Sequence, residues 1–236
     1  MYSPYEGSAV TLTGQLALLM LVERLWNVPQ CRIINANTDG VTVLVHRDTV
    51  ARLHCAASEW GRETEFNLEF GEYSAFYSRD VNNYVAVKHN GDLKRKGVFA
   101  PSGLGKGKEL PEVCVDMAIT ALRYTGAPKW PDMPHADDWH KLCMAKNPKS
   151  EVAYYLRGKQ QESLQKHPRW YWATDTGHDT CIRYLSNGNR VPRSDGCVPV
   201  MDAHADVGEW KVDRKRYITE AEKLVDSVHQ NKMTQA

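Results

Sequence analysis

The chain has no apolar run long enough to cross a bilayer: the longest, Leu16–Val22, falls well short of about 20 residues. Its start lacks the basic segment of a secretory signal. The six cysteines, at 31, 55, 114, 143, 181 and 197, lie far apart and form no C-x-x-C pair. That spacing argues against a disulfide framework and fits reduced thiols in cytoplasm. The set His178, Cys181, Cys197 and His204 contains no tight ligand pair of the zinc type. A net charge of +1 excludes any global attraction to nucleic acid, so such binding must come from local patches. Repeats, low-complexity tracts and a readable Ser/His/Asp triad are absent as well. The Gly/Lys stretch 101–108 lacks the G-x-x-x-x-G-K-[ST] spacing of an NTPase phosphate loop.

What is present is an ordinary globular composition over 236 residues, 42% apolar and 25% charged, enough for one large or two small domains. The most distinctive stretch is Cys31–Val45. Two β-prone runs, Ile33–Ala36 and Val41–Val45, flank Asn37-Thr38-Asp39-Gly40, residues that tolerate the positive φ of a tight turn. A hairpin is predicted, with one carboxylate at its tip. Such an Asp either simply favours the turn or acts as a hard oxygen ligand for Mg²⁺.

The stretch Val10–Trp26 predicts a helix, apolar on nearly every side and therefore buried, that Pro29 ends. Thr11, Thr13, Gly14 and Gln15 suit either a helix start or close packing against backbone or ligand. A second helix is expected from Asp48 or Thr49 to Trp60. Strict alternation in Glu65–Phe70 predicts a half-buried strand, followed by strands at Tyr73–Ser78 and Asn83–Lys88. The turn His89-Asn90-Gly91-Asp92 returns the chain along Leu93–Phe99. Lys88, Lys94, Arg95, Lys96, Lys106 and Lys108 face a single acid, Asp92, in this region. They fit either phosphate contacts or an edge strand guarded by cations.

A composition shift near 100–108 marks a domain boundary. Beyond it, helices are expected over Glu109–Tyr124 and Ser150–Gln165, and strands over Arg169–Ala173 and Thr180–Leu185. A last helix, capped by Asp213, carries the stripe Tyr217, Ile218, Ala221, Leu224, Val225, Val228. Arg169-Trp170-Tyr171-Trp172 reads as buried strand aromatics, with base stacking as the other possibility.

Three stretches, in order, resemble the C-terminal part of family B DNA polymerases of the kind encoded by bacteriophages. Val10–Leu19 resembles the palm helix before the catalytic hairpin. Asn35-Ala36-Asn37-Thr38-Asp39-Gly40-Val41 resembles the motif usually written Asp-Thr-Asp-Ser. Arg79–Lys88 with Lys94-Arg95-Lys96-Gly97 resembles the Lys-x-Tyr segment and its following basic strand. Arg169-Trp170-Tyr171 and Tyr217–Ala221 are similar to the thumb.

The resemblance implies an α+β fold. A partial palm, an antiparallel sheet with packed helices, would span 1–105, and a mostly helical thumb 106–236. It implies a DNA-directed DNA polymerase portion in which Asp39 binds catalytic Mg²⁺, flanked by Asn37, Thr38 and Gly40. Tyr84, Lys88, Lys94, Arg95, Lys96, Lys106 and Lys108 would meet primer–template DNA. Asn37 stands in place of the motif's first aspartate, Gly40 in place of its serine, and Asn82 in place of the lysine of Lys-x-Tyr.

No Asp-x-x-Ser-x-x-Tyr-Pro, no Lys-x-x-x-Asn-Ser-x-Tyr-Gly and no exonuclease acid cluster is present. The resemblance therefore implies that a complementary chain supplies the partner carboxylate and the dNTP-binding helix. No membrane role is implied, and a cytoplasmic setting, the host's if the protein is viral, is expected. The alternative is a non-catalytic DNA-binding module of the same shape.

Overall fold

The computed structural model describes residues 4–37, 40–101, 110–132, 139–146, 150–165, 167–174, 176, 179–201 and 211–232. The chain is mixed α+β with small antiparallel sheets. It divides into two units: 1–82, 86–94 and 230–236 form one, and 83–85 with 95–229 the other. The division near Lys94/Arg95 precedes the sequence boundary at 105/106, which lies in a stretch outside the described residues.

The first unit opens with α1 (Pro4–Trp26), whose Pro4 suits a first helical position. Next come the hairpin strands β1 (Cys31–Asn37) and β2 (Gly40–Val45), and α2 (Val50–Thr64). One face of α1, through Ala17, Leu21 and Leu25, packs with Leu53, Ala57 and Trp60 of α2. Cys31, Ile33, Val41, Val43 and Val45 of the hairpin close that cluster. The Trp60 indole donates to the Ala17 carbonyl at 2.8 Å, tying the two helices. Arg24 of α1 also pairs with Glu63 of α2.

The expectation that α1 is buried throughout needs correction. Its opposite side is open, with Leu12 57%, Leu16 54%, Leu19 52% and Trp26 70% exposed. Hairpin and α2 are too small to wrap a helix of this length, so only one side is covered. The span Ser8–Trp26 is, by length and composition, apolar enough to cross a membrane, which the short unbroken run Leu16–Val22 concealed. Gly14 meets no close neighbour, so close packing does not explain it.

The strand expected over Glu65–Phe70 is also corrected. Glu65 ends α2 at φ 60°, and the chain doubles back so tightly that a Cβ on Gly61 would sit 3.1 Å from the Phe66 carbonyl. Phe66 then stacks on Trp60 at 5.7 Å, and Phe70 meets His54 at 4.5 Å. The alternating aromatics cover α2 instead of joining a sheet.

Strands β3 (Ala75–Asp80), β4 (Asn83–Val87) and β5 (Leu93–Arg95) follow, close to expectation. Gly91 takes φ 89° in the turn before β5, and Lys88 N–H donates to the Asp92 carbonyl at 2.8 Å. The return strand stops at Arg95, and 97–99 form a short 3₁₀ turn.

The second unit is not mostly helical. Among the described residues, helices α3 (Glu112–Tyr124), α4 (Trp139–Leu142) and α5 (Arg214–Asp226) share it with six strands. These are β6 (Met144–Ala145), β7 (Val152–Leu156), β8 (Lys159–Ser163), β9 (Arg169–Trp172), β10 (Thr180–Tyr184) and β11 (Cys197–Pro199). They form two sheets, in the orders β10-β7-β8 and β11-β9-β6. The helix expected over Ser150–Gln165 is the hairpin β7–β8. Arg157 (φ 50°) and Gly158 (φ 77°) make a left-handed two-residue turn, and Val-Ala-Tyr-Tyr-Leu suits a strand. A final strand, β12 (His229–Lys232), adds to β3, giving the sheet order β12-β3-β4-β5.

The core of this unit is built around α5. Asp213 caps it by accepting from Arg216 N–H at 3.1 Å, as the sequence predicts, and Tyr217, Ala221 and Leu224 are buried. Trp170 and Trp172 are 1% exposed, and both indoles donate to the Arg193 carbonyl, at 3.2 and 2.9 Å. Burial takes these aromatics out of reach of bases.

Glu220 of α5 receives Arg193 and Lys223, each at 2.7 Å. Burial pushes its carboxyl up, but the two cations outweigh that and hold it below the usual range. A carboxyl so depressed adds stability above its unfolded pKa of about 4.3, and that stability is lost as pH falls through the lower folded value. Glu220→Gln is therefore expected to lower the melting temperature at pH 7, with the difference from wild type narrowing as pH falls below the unfolded pKa in paired thermal melts.

Cys114, Cys143, Cys181 and Cys197 are buried, Cys31 is half-buried and Cys55 exposed, all as free thiols. Burial raises the Cys31, Cys114 and Cys197 thiols, which suppresses their thiolates. Ellman's reagent at pH 8 is expected to titrate Cys55 first and the four buried thiols only on unfolding. Rapid reaction of all six would contradict this packing.

Candidate functional site

The hairpin that carries the predicted aspartate is pinned from one side. Cys31 pairs with Val45, Ile33 with Val43, Ala36 with Val41, and Asn37 directly with Gly40. Alternation sends the valines and Ile33 into the α1–α2 cluster, so the strand ends that flank the turn are held on a packed base. Thr38 and Asp39 themselves lie outside the described residues.

The register slips between Ile33 and Asn35, so Ile34 is an extra residue on β1. Such a bulge increases local twist and re-aims the residues beyond it. Asn35 follows the bulge and donates its amide to the Val81 carbonyl at 3.3 Å, linking the hairpin to the turn after β3. Its other amide atom, Oδ1, is buried with no hydrogen-bond partner among the described residues. In the sequence Asn35 stands at the start of the motif-like stretch with no role of its own. The available signal was a polar residue where strict alternation breaks.

At the Asn37/Gly40 pair a Cβ on residue 40 would lie 3.8 Å from Asn37 Oδ1, ordinary contact distance, so a serine would fit there sterically. Mg²⁺ takes about six oxygens and is usually bound through one or two carboxylates. Asn37 would offer an amide oxygen to such an ion, and Asp39 one carboxylate. Among the described residues no group of three or more His, Cys, Asp or Glu is placed to hold a metal ion. The residues flanking the turn do not by themselves make a two-metal site.

Tyr84 is half-buried in β4, and its carbonyl accepts from Lys96 N–H at 2.9 Å, bringing the Tyr84 and Lys96 positions together. Asn82 sits in the turn before it, its N–H bound to Asp80 Oδ1 at 3.0 Å. Neighbouring Asn83 accepts from Val98 N–H at 2.7 Å, which fixes the chain after β5.

The basic strand separates its cations. Lys88, Lys94 and Lys96 are exposed. The Lys94 ammonium rests 3.4 Å from the Tyr73 hydroxyl, close to the solvent. Arg95 points the other way, as strand alternation requires. Its guanidinium binds the Phe99 carbonyl and pairs with Asp116 of α3 at 3.1 Å, with the side chain 16% exposed. The Arg95 guanidinium, expected at the DNA, is thus engaged in an internal ion pair. Burial nonetheless leaves Asp116 raised above the usual carboxylate range, ahead of the opposing pull of Arg95. Lys106 and Lys108 lie outside the described residues, as do His178 and His204.

Compared with known proteins, the chain matches no family model and no curated protein.

Proposed function

We propose that the chain is the C-terminal palm and thumb portion of a DNA-directed DNA polymerase, working with a complementary chain. The observation that carries this reading is the hairpin Cys31–Val45. Its strands are anchored on two helices, and the paired Asn37 and Gly40 bracket Thr38-Asp39 within a sequence resembling the family's metal-binding motif. The order of helix, hairpin, Tyr84 strand and basic strand supports it further. In this reading Asp39 contributes one carboxylate, and the partner contributes the other carboxylate and the nucleotide-binding helix. Exposed Lys94 of β5, with Lys88 just after β4 and Lys96 just after β5, holds the phosphate backbone without reading sequence.

A second reading, a DNA-binding module without catalysis, draws on the neutral Asn37 opposite Gly40. The two are separated by primer extension. The chain, co-expressed with a polypeptide carrying the missing motifs, is expected to extend a primed template with Mg²⁺ and dNTPs, while neither piece does so alone. DNA retention without extension in the reconstituted pair would favour the module.

The three lysines give a further expectation. Changing Lys88, Lys94 and Lys96 together to alanine should reduce the slope of log affinity against log salt by about 2 to 3. An unchanged slope in fluorescence anisotropy titrations would remove this strand from the DNA interface.

A further inference from the structure

The outward side of α1 carries a second periodic pattern. Ala9, Leu12, Leu16, Leu19, Glu23 and Trp26 follow one another at steps of 3, 4, 3, 4 and 3. That is the seam spacing of a helix built to meet another helix, and it lies opposite the buried Ala17, Leu21 and Leu25. It runs about 26 Å along the helix at 1.5 Å per residue. Its large apolar members are more than half exposed, from Leu19 at 52% to Trp26 at 70%. Glu23, in the line of the seam, has no cation on its carboxylate among the described residues, whereas neighbouring Arg24 is taken by Glu63.

We infer that this face docks a helix of a different polypeptide, one with an apolar heptad seam and a lysine or arginine facing Glu23. The charge decides the occupant. In a parallel pair of identical copies Glu23 would meet its own counterpart, and like charges would be buried together. In an antiparallel pair centred between Leu16 and Leu19, Glu23 would face Leu12, a carboxylate buried against hydrocarbon. Either arrangement strands a charge, whereas a facing cation neutralises it and fixes register. A lipid surface offers no fixed cation at that depth. The inference stands apart from the polymerase reading, since any chain with such a helix qualifies.

The test uses the full chain and two synthetic three-heptad helices with leucine at every seam position but one. That one is lysine in the first peptide and glutamate in the second. The lysine peptide is expected to bind more than about tenfold tighter by calorimetry. Leu16→Asp with Leu19→Asp should abolish its binding while the circular dichroism spectrum is retained. Glu23→Leu should convert a monomeric chain into a self-associating one in sedimentation equilibrium. Equal affinity for both peptides, or binding to neither, would overturn the inference. So would wild-type self-association lost in the Leu16→Asp/Leu19→Asp variant, which would make a second copy the occupant. A blue shift of Trp26 emission on neutral phosphatidylcholine vesicles, absent in Trp26→Phe, would overturn it in favour of a membrane.

Discussion

Alanine at Asp39 is expected to reduce primer extension by the reconstituted pair about a thousandfold or more, with DNA retention unchanged. A charge-stabilising metal ligand is worth several kcal/mol in the transition state, and each 1.36 kcal/mol is a factor of ten. In the proposed reading the phosphate contacts belong to Lys88, Lys94 and Lys96, so a gel-shift assay should show no loss. Folding should survive as well. The hairpin's anchoring comes from Ile33, Val41, Val43 and Val45, which pack on α1 and α2. Loss of both extension and DNA binding would make Asp39 a structural turn residue. Unchanged extension would remove the polymerase reading altogether. Asn37→Asp provides the companion measurement: if residue 37 stands where a carboxylate usually does, adding one should preserve extension and shift its Mg²⁺ dependence.

The second large effect concerns stability. Tyr217 is fully buried, and its hydroxyl is used twice: it donates to the Leu142 carbonyl at 2.8 Å and accepts from Trp172 N–H at 3.0 Å. Its ring packs edge-on with Trp172 at 4.9 Å and Trp130 at 5.7 Å. Tyr217→Phe keeps the ring but leaves one buried N–H and one buried carbonyl unpaired. Each costs about 1–3 kcal/mol, so a loss of roughly 2–6 kcal/mol is expected. Tyr217→Ala adds a cavity between two tryptophans and is expected to leave the second unit largely unfolded at 37 °C. Urea denaturation followed by tryptophan fluorescence checks both. A Tyr217→Phe variant within about 0.5 kcal/mol of wild type would show that those hydroxyl bonds contribute little.

Much of this arrangement is legible in the sequence. The hairpin at 31–45 follows from β-prone runs around Asn-Thr-Asp-Gly, and the Asp213 cap follows from its place before an apolar stripe. Elements were misread where tertiary packing overrode local pattern. Glu65–Phe70 alternates like a strand, yet its aromatics alternate onto Trp60 and His54 after a left-handed residue at Glu65. The β7–β8 hairpin was missed because its turn is Arg157-Gly158, a pair less conspicuous than Asn-Gly. The cations at 94–96 could have been divided by period two alone, which separates Arg95 from Lys94 and from Lys96 just after β5. The commitment of Arg95 to Asp116 is a long-range pairing that no local pattern contains.

The sheet order β12-β3-β4-β5 bears on how the molecule is made. Strands β3, β4 and β5 are near neighbours in sequence and can zip together as they leave the ribosome. Their fourth strand, His229–Lys232, is separated from β3 by roughly 150 residues of chain, a long loop to close. Throughout synthesis of the second unit, one side of β3 therefore waits with open hydrogen-bonding groups, a template for pairing with a neighbouring nascent chain. Expression at low temperature or with chaperones should matter more for this protein than its size suggests, because the vulnerable interval is set by when the last strand arrives.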